Sequence, residues 1–212
     1  MLKSIINLFF PPVCAVCHSF LLSNENVICT VCRHNIPLTN HHLNPENEAF
    51  KKFYGRIPVE HTSALLYFHK KGIVQELIHN LKYKGQEEIG TVLGEWYADD
   101  LKNSTILQSI DEIIPVPLHK RKLRERGYNQ LTNFGKTLSN GLDIPYNPNL
   151  LVRNIYSKTQ SKKNLLNRSE GIDSVFDITF TEKDHNKHFL LIDDVLTTGS
   201  TLEACSHALL KI

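Results

Sequence analysis

The sequence predicts an α/β chain, a mostly parallel sheet with helices on both faces, preceded by a small four-cysteine metal module. Three observations predict it. Four of the five cysteines fall within nineteen residues near the start. From Ser63 onward short apolar runs alternate with stretches of helical period, the pattern of a parallel sheet wrapped by crossover helices. One apolar run, Phe189 to Ile192, delivers two aspartates into a Thr- and Gly-rich turn that opens a helix. Composition agrees: 212 residues, 41% hydrophobic, 24 Lys plus Arg against 22 Asp plus Glu, and a net charge of +2. Such a chain is neither disordered nor collagenous nor a disulfide scaffold, and its charge is too small to mark a nucleic-acid binder.

The amino end, MLKSIINLFFPPVC, reads as a short amphipathic helix stopped by Pro11 and Pro12. No small-residue cleavage site follows it, and no apolar run approaches the roughly 18 to 20 residues of a membrane helix, so the expectation is a cytoplasmic protein without membrane insertion. Cys14 and Cys17 form one Cys-x-x-Cys, Cys29 and Cys32 a second, with eleven residues between them. Each such turn aims two thiolates at one point, and two together complete the tetrahedron of a structural zinc site. Four protein ligands leave no open position, so the metal serves folding rather than catalysis. His18 and His34 flank the knuckles as alternative ligands, and read as surface residues because four cysteines suffice. Cys205 stands apart, read as a small buried hydrophobe in a helix.

Three regions are expected: residues 1–40 as the helix plus zinc module, 41–62 as a linker carrying Pro45, Gly55 and Pro58, and 63–212 as the α/β domain. Within the last, Ser63 to His69 reads as a strand. Ile73, Val74, Leu77, Ile78 and Leu81 line one helix, and Ile89, Val92, Leu93, Trp96 and Tyr97 another. Ile110 to Pro117 reads as a buried strand ending in Pro-Val-Pro. Leu131, Phe134 and Leu138 mark a third helix, Leu150 to Val152 and Phe176 to Phe180 short strands, and Leu202, Cys205 and Leu209 the final helix.

The segment HFLLIDDVLTTGSTLEAC, residues 188 to 205, carries the chemistry. Open α/β sheets bind ligands at the carboxyl ends of their strands, and a helix start offers backbone N–H groups and a positive dipole end to a phosphate. Thr197, Thr198, Ser200 and Thr201 add hydroxyls, and Gly199 lets the backbone approach the oxyanion. Asp193 and Asp194 would repel a bare anion unless they face sugar hydroxyls or a hard cation such as magnesium, so the pattern asks for a sugar phosphate. A plainer reading makes Ser200 an N-cap with Glu203 closing a capping box.

Asp193-Asp194 followed by Val195 to Thr201 resembles the phosphoribosyl pyrophosphate (PRPP) signature of type I phosphoribosyltransferases. The four-cysteine module, PVPLHKRKLRERGYNQ at 115 to 130 and RNIYSKTQSKKNLLNR at 153 to 168 narrow the resemblance to the ComF family, phosphoribosyltransferase-like proteins of bacterial DNA uptake. It covers nearly the whole chain. Gly171 stands where the family pattern carries Asn, and the chain reaches Ile212 before a further strand, so one sheet edge is expected to be incomplete.

The resemblance implies that Thr197, Thr198, Gly199, Ser200 and Thr201 hold the 5-phosphate and that Asp193 and Asp194 hold the ribose as the catalytic pair. Magnesium and two basic segments would take the pyrophosphate. The basic residues singled out are Arg124, Arg126, Arg153 and Arg168, whose planar forks suit phosphate, with Asn129 and Gln130 fixing the loop or meeting substrate. Lys158, Lys162 and Lys163 add charge to the second segment, and His119 is a general-base candidate by location alone. The implied reaction moves ribose 5-phosphate to a nucleophile with loss of pyrophosphate. Two other readings stand beside it. One is a non-catalytic PRPP-binding adaptor that docks on other DNA-uptake proteins. The other is a single-stranded DNA binder, for which Tyr128 and Tyr156 near the basic runs are the stacking candidates, although aromatics are 8% of the chain and show no repeated pattern with basic residues.

Overall fold

In the computed structural model, residues 10–102, 104, 109–153 and 175–212 are described. The expected amino-terminal helix lies almost wholly outside them, as does the second basic segment after Arg153, including Lys158, Lys162, Lys163, Arg168 and Tyr156.

The cysteine knuckles come first. Val13 and Phe20 pair across one knuckle and Asn26 with Ile28 beside the other, and helix α1 (Thr30–His34) starts from Cys29, whose side chain accepts from the Cys32 N–H. Residues 41–62, expected as a linker, hold a 3-10 turn (His41–Leu43) and the short helix α2 (Glu48–Lys51), capped by the Asn47 side chain on the Phe50 N–H. Phe53 just beyond is 1% exposed.

Ser63 to His69 is not the strand expected from the sequence. A single antiparallel bridge joins Leu38 and Leu66, flanked by Thr39 N–H to Leu65 O and Tyr67 N–H to Pro37 O. Pro37 has no N–H to return, so the ladder stops there.

Helices α3 (Ile73–Tyr83) and α4 (Glu88–Leu101) follow as the 3.6 period requires, burying Val74, Leu77 and Leu81, and Ile89, Val92, Leu93 and Tyr97. Strand β1 (Glu112–Pro115) is shorter than its apolar run. Helix α5 (Lys120–Arg126), in the basic segment, was not foreseen as a helix, although its signals are local. His119 caps it through Nδ1 on the Arg121 N–H, Gly127 closes it at φ 85°, and Arg121 pairs with Glu125 four residues on.

Helix α6 (Leu131–Leu142) packs on α4 closely enough that a Cβ at Gly94 would stand 3.0 Å from the Phe134 carbonyl oxygen. Strands β2 (Leu151–Arg153), β3 (Phe176–Ile178) and β4 (Phe189–Ile192) and helix α7 (Ser200–Leu209) complete the chain.

The architecture is mixed α/β with a parallel sheet. Strand β1 pairs in parallel with β4, Glu112 opposite Phe189 and Pro115 opposite Ile192. On its other edge Ile113 bridges Tyr146 in parallel. Strands β2 and β3 form a separate antiparallel pair. One core gathers Ile113, Ile114, Leu138, Leu151 and Cys205 around the sheets, so Cys205 is the buried hydrophobe expected. A second joins Cys14, Ile28 and Cys32 to Val74, Leu77 and Leu93 of α3 and α4. Within that second core the fully buried Asn80 ties α3 to the cysteine module by donating to the Ala15 carbonyl at 2.7 Å. No helix of the described residues is long and apolar enough to cross a membrane.

Candidate functional site

The parallel register places the carboxyl ends of β1 and β4 side by side, and the two loops that leave them build the site. From β4 the chain passes through Asp193 and Asp194 into the 195–199 turn and then α7. Gly199 occupies the left-handed region at φ 81° at the helix start, and a Cβ there would lie 2.7 Å from the Phe53 ring. Glycine is required twice over, by backbone conformation and by packing. Thr197, Thr198, Ser200 and Thr201 are exposed around it, and the Thr198 hydroxyl donates to Ser200 Oγ at 3.1 Å.

The capping box read from Ser200 and Glu203 does not form: the cap residue is Gly199, without a side-chain cap. Glu203 turns instead to Arg56, which also donates to the Thr198 carbonyl at 3.0 Å and the Lys52 carbonyl at 2.9 Å. The helix start therefore stays open to an anion.

The acidic pair is not two equivalent carboxylates. Asp193 accepts the Asp194 N–H at 2.8 Å, and its pKa is pushed up to about 6, first by burial and then by the neighbouring Asp194 charge. Asp194 has a cation: Lys82 Nζ, from the last turn of α3, lies 2.8 Å from its Oδ2. The same oxygen accepts the Gln130 amide, and Gln130 in turn accepts from Arg126. Arg126 also lies over the Tyr83 ring, 5.6 Å from its centroid.

Of the residues singled out in the sequence, Asp194, Gln130 and Arg126 are thus linked directly. Asn129 fixes the loop, donating to Val116 O and accepting from Leu131 N–H. Arg124 is exposed on α5, and Arg153 packs over Phe176, 5.3 Å from the ring centroid. His119 acts as a helix cap.

Sequence reasoning missed Lys82, Arg56 and Phe53. Arg56 and Phe53 sit in the region read as a linker, and Lys82 sits on the polar side of a helix read for its apolar stripe. Only the Lys-Tyr-Lys-Gly run at 82–85 offered a local signal. A cavity of about 860 Å³ opens beside the acidic pair, walled by Phe53, Ile57, Leu65, Leu93 and Phe134. His61 lines it with neither ring nitrogen hydrogen-bonded, its pKa lowered by burial and then by His41 and His42.

The cysteines form a separate centre. The sulfur atoms of Cys14, Cys17, Cys29 and Cys32 all lie within 4.8 Å of one another, and Cys17 and Cys29 are 3.7 Å apart. A regular tetrahedron with metal–sulfur bonds of about 2.3 Å has sulfurs about 3.8 Å apart. Backbone N–H groups of Val16 and Cys29 point at Cys14 Sγ, at 3.4 and 3.3 Å, and that of Cys32 at Cys29 Sγ. The Cys17 thiol is lowered to about 6, chiefly by the Ser19 side chain, whereas burial raises Cys32. The four residues fit a zinc module.

Comparison with known proteins gives relatives along almost the whole chain. Competence protein F of Haemophilus influenzae is 28% identical over 96% of this chain and 93% of its own length. DNA utilization protein YhgH of Escherichia coli K12 is 26% identical over 94% of this chain and 84% of its own. Competence protein ComFC of Bacillus subtilis is 26% identical over 94% and 78%. No family model matches the chain, and no solved structure does. The resemblance to the ComF family, first carried by motifs, is carried by these homologues as well.

Proposed function

We propose that this chain binds PRPP with magnesium and transfers ribose 5-phosphate to a nucleophile, releasing pyrophosphate, in the service of DNA uptake. The relatives named for competence and DNA utilization support the biological setting. One observation carries the chemistry: at the end of β4 a desolvated Asp193 and a lysine-paired Asp194 stand directly before an exposed hydroxyl-rich turn and an open helix start. In this reading Thr197 to Thr201 take the 5-phosphate, while Asp193 and Asp194 face the ribose hydroxyls.

Asp194 is already ion-paired with Lys82, so the carboxylates suit hydroxyl donors better than a directly bound dication. Magnesium would be held mainly by the ligand's own phosphates, where it supplies charge neutralisation. The basic α5 faces the departing pyrophosphate, and the cavity by His61 receives the acceptor. Stabilising developing charge in a dry site is the main source of rate. Zinc on the four cysteines would serve folding alone.

Exposed apolar side chains on the cysteine module, Phe10, Phe20, Leu22 and Val31, favour a second role as an adaptor that docks on a partner. Titration calorimetry with PRPP and magnesium tests the first claim, and a pyrophosphate-release assay over candidate acceptors tests the second. Binding without turnover would leave the adaptor, and a folded, zinc-loaded protein that binds no PRPP would sink the enzyme and the PRPP-binding adaptor alike. Retention of single-stranded DNA at low salt, lost at high salt, would restore the nucleic-acid reading.

A further inference from the structure

The carboxyl end of α3 is fastened on both sides of Lys82. The Leu81 carbonyl accepts the Tyr128 hydroxyl, and the Tyr83 ring lies under the Arg126 guanidinium. Both partners come from the carboxyl end of the basic helix α5 and the residues just after it, so Lys82 is delivered to one place: the junction where the 126–130 stretch meets the acidic pair. There its ammonium lies on Asp194 Oδ2, with side-chain exposures of 20% for Lys82 and 11% for Asp194. Gln130 donates to the same oxygen.

Asp194 therefore keeps a hydrogen-bond donor if the ammonium departs. A lysine is a compact charge with three donors on a flexible stem, able to exchange one anionic partner for another by turning about its own side chain. Simple neutralisation of a carboxylate would be the plainer role, but it does not account for a second donor on the same oxygen or for the double fastening of the helix end.

We infer that Lys82 is a diphosphate-contacting residue, which exchanges its ion pair with Asp194 for one with the phosphate oxygens of the ligand. The inference rests on the PRPP reading of the site and adds to it a specific cation outside both basic segments. The exchange releases Asp194 toward the ribose at the moment the diphosphate arrives, so that ligand binding itself uncovers the carboxylate.

Calorimetry on the full, zinc-loaded chain separates the parts, with inorganic pyrophosphate plus magnesium and ribose 5-phosphate as the two probes. Lys82→Gln should weaken pyrophosphate about 10- to 100-fold, the range of one charge-assisted contact, and should not weaken ribose 5-phosphate, whose hydroxyls then meet an uncovered Asp194. Asp194→Asn should tighten pyrophosphate several-fold by freeing the ammonium, and the gain should vanish in the double variant. Unchanged pyrophosphate affinity in Lys82→Gln, or equal loss of both probes, would overturn the role of Lys82 while leaving the PRPP reading intact. A wild-type chain that binds neither probe would overturn that reading, and the inference with it.

Discussion

Asp193 carries a cost in the folded chain at neutral pH. Burial and the Asp194 charge raise its pKa from an ordinary 3.8 to about 6, so between those pH values the folded state holds more protons than the unfolded one. Its effect on stability is then most favourable below about pH 4 and is lost as pH rises toward 6, amounting to at most ~3 kcal/mol above that. Asparagine keeps the oxygen that accepts the Asp194 N–H and removes the charge. Asp193→Asn should therefore stabilise the protein by ~1–2 kcal/mol at pH 7.5 in denaturant unfolding, with the gain gone near pH 4, and should weaken PRPP binding. A variant no more stable at pH 7.5 than at pH 4, relative to wild type, would show that the carboxylate is not strained. A residue that costs stability where it stands is a common mark of a functional site.

Elements differ in how plainly their sequence announces them. The acidic pair and its turn were readable because strand, carboxylates, glycine and helix follow one another within residues 188 to 205. The cysteine cluster was readable because each ligand pair is a local turn. What was not readable is held by contacts between distant parts of the chain: Gln130 on Asp194 spans 64 residues, and Arg56 on Glu203 spans 147. Glu203 looked like a capping-box residue because its spacing from Ser200 is right, and a tertiary partner took it instead.

The 41–62 stretch looked like a linker because it has no period, yet Phe53 and Arg56 brace the 195–199 turn. Arg56→Ala should consequently weaken ribose 5-phosphate about 3- to 10-fold, one ordinary hydrogen bond's worth, while thermal stability falls by ~1 kcal/mol or less, as for other half-exposed ion pairs. Arg56→Lys should not restore it, since a single ammonium cannot reach Glu203 and the Thr198 carbonyl together as the guanidinium fork does. Equal affinities in wild type and Arg56→Ala would show that the strap is idle.

At the scale of the whole molecule, the cysteine module and the α/β portion share a core. Residues expected to fall into separate units pack as one: Cys14, Ile28 and Cys32 are buried against Leu77, Leu81 and Leu93, and the buried Asn80 amide nitrogen donates to the Ala15 carbonyl. Structural zinc contributes directly to folding free energy, so loss of a zinc ion from the four cysteines would remove the bonds that draw their sulfurs together beside that core. The knuckles would open, uncovering the apolar face of α3 and leaving the buried Asn80 amide unsatisfied, at a cost of roughly 1–3 kcal/mol for that group alone. The same last turn of α3 carries Lys82, two residues beyond Asn80, so damage at the module reaches the acidic pair through a single rigid element. Chelation, or Cys14→Ser, should lower the melting temperature by about 10 °C or more and do so in one cooperative transition in scanning calorimetry. Pyrophosphate binding should weaken in parallel even at temperatures where most helicity survives. Two transitions, of which only the lower moves on chelation while pyrophosphate affinity holds, would instead mean that the shared core transmits nothing and that the module is an independent appendage.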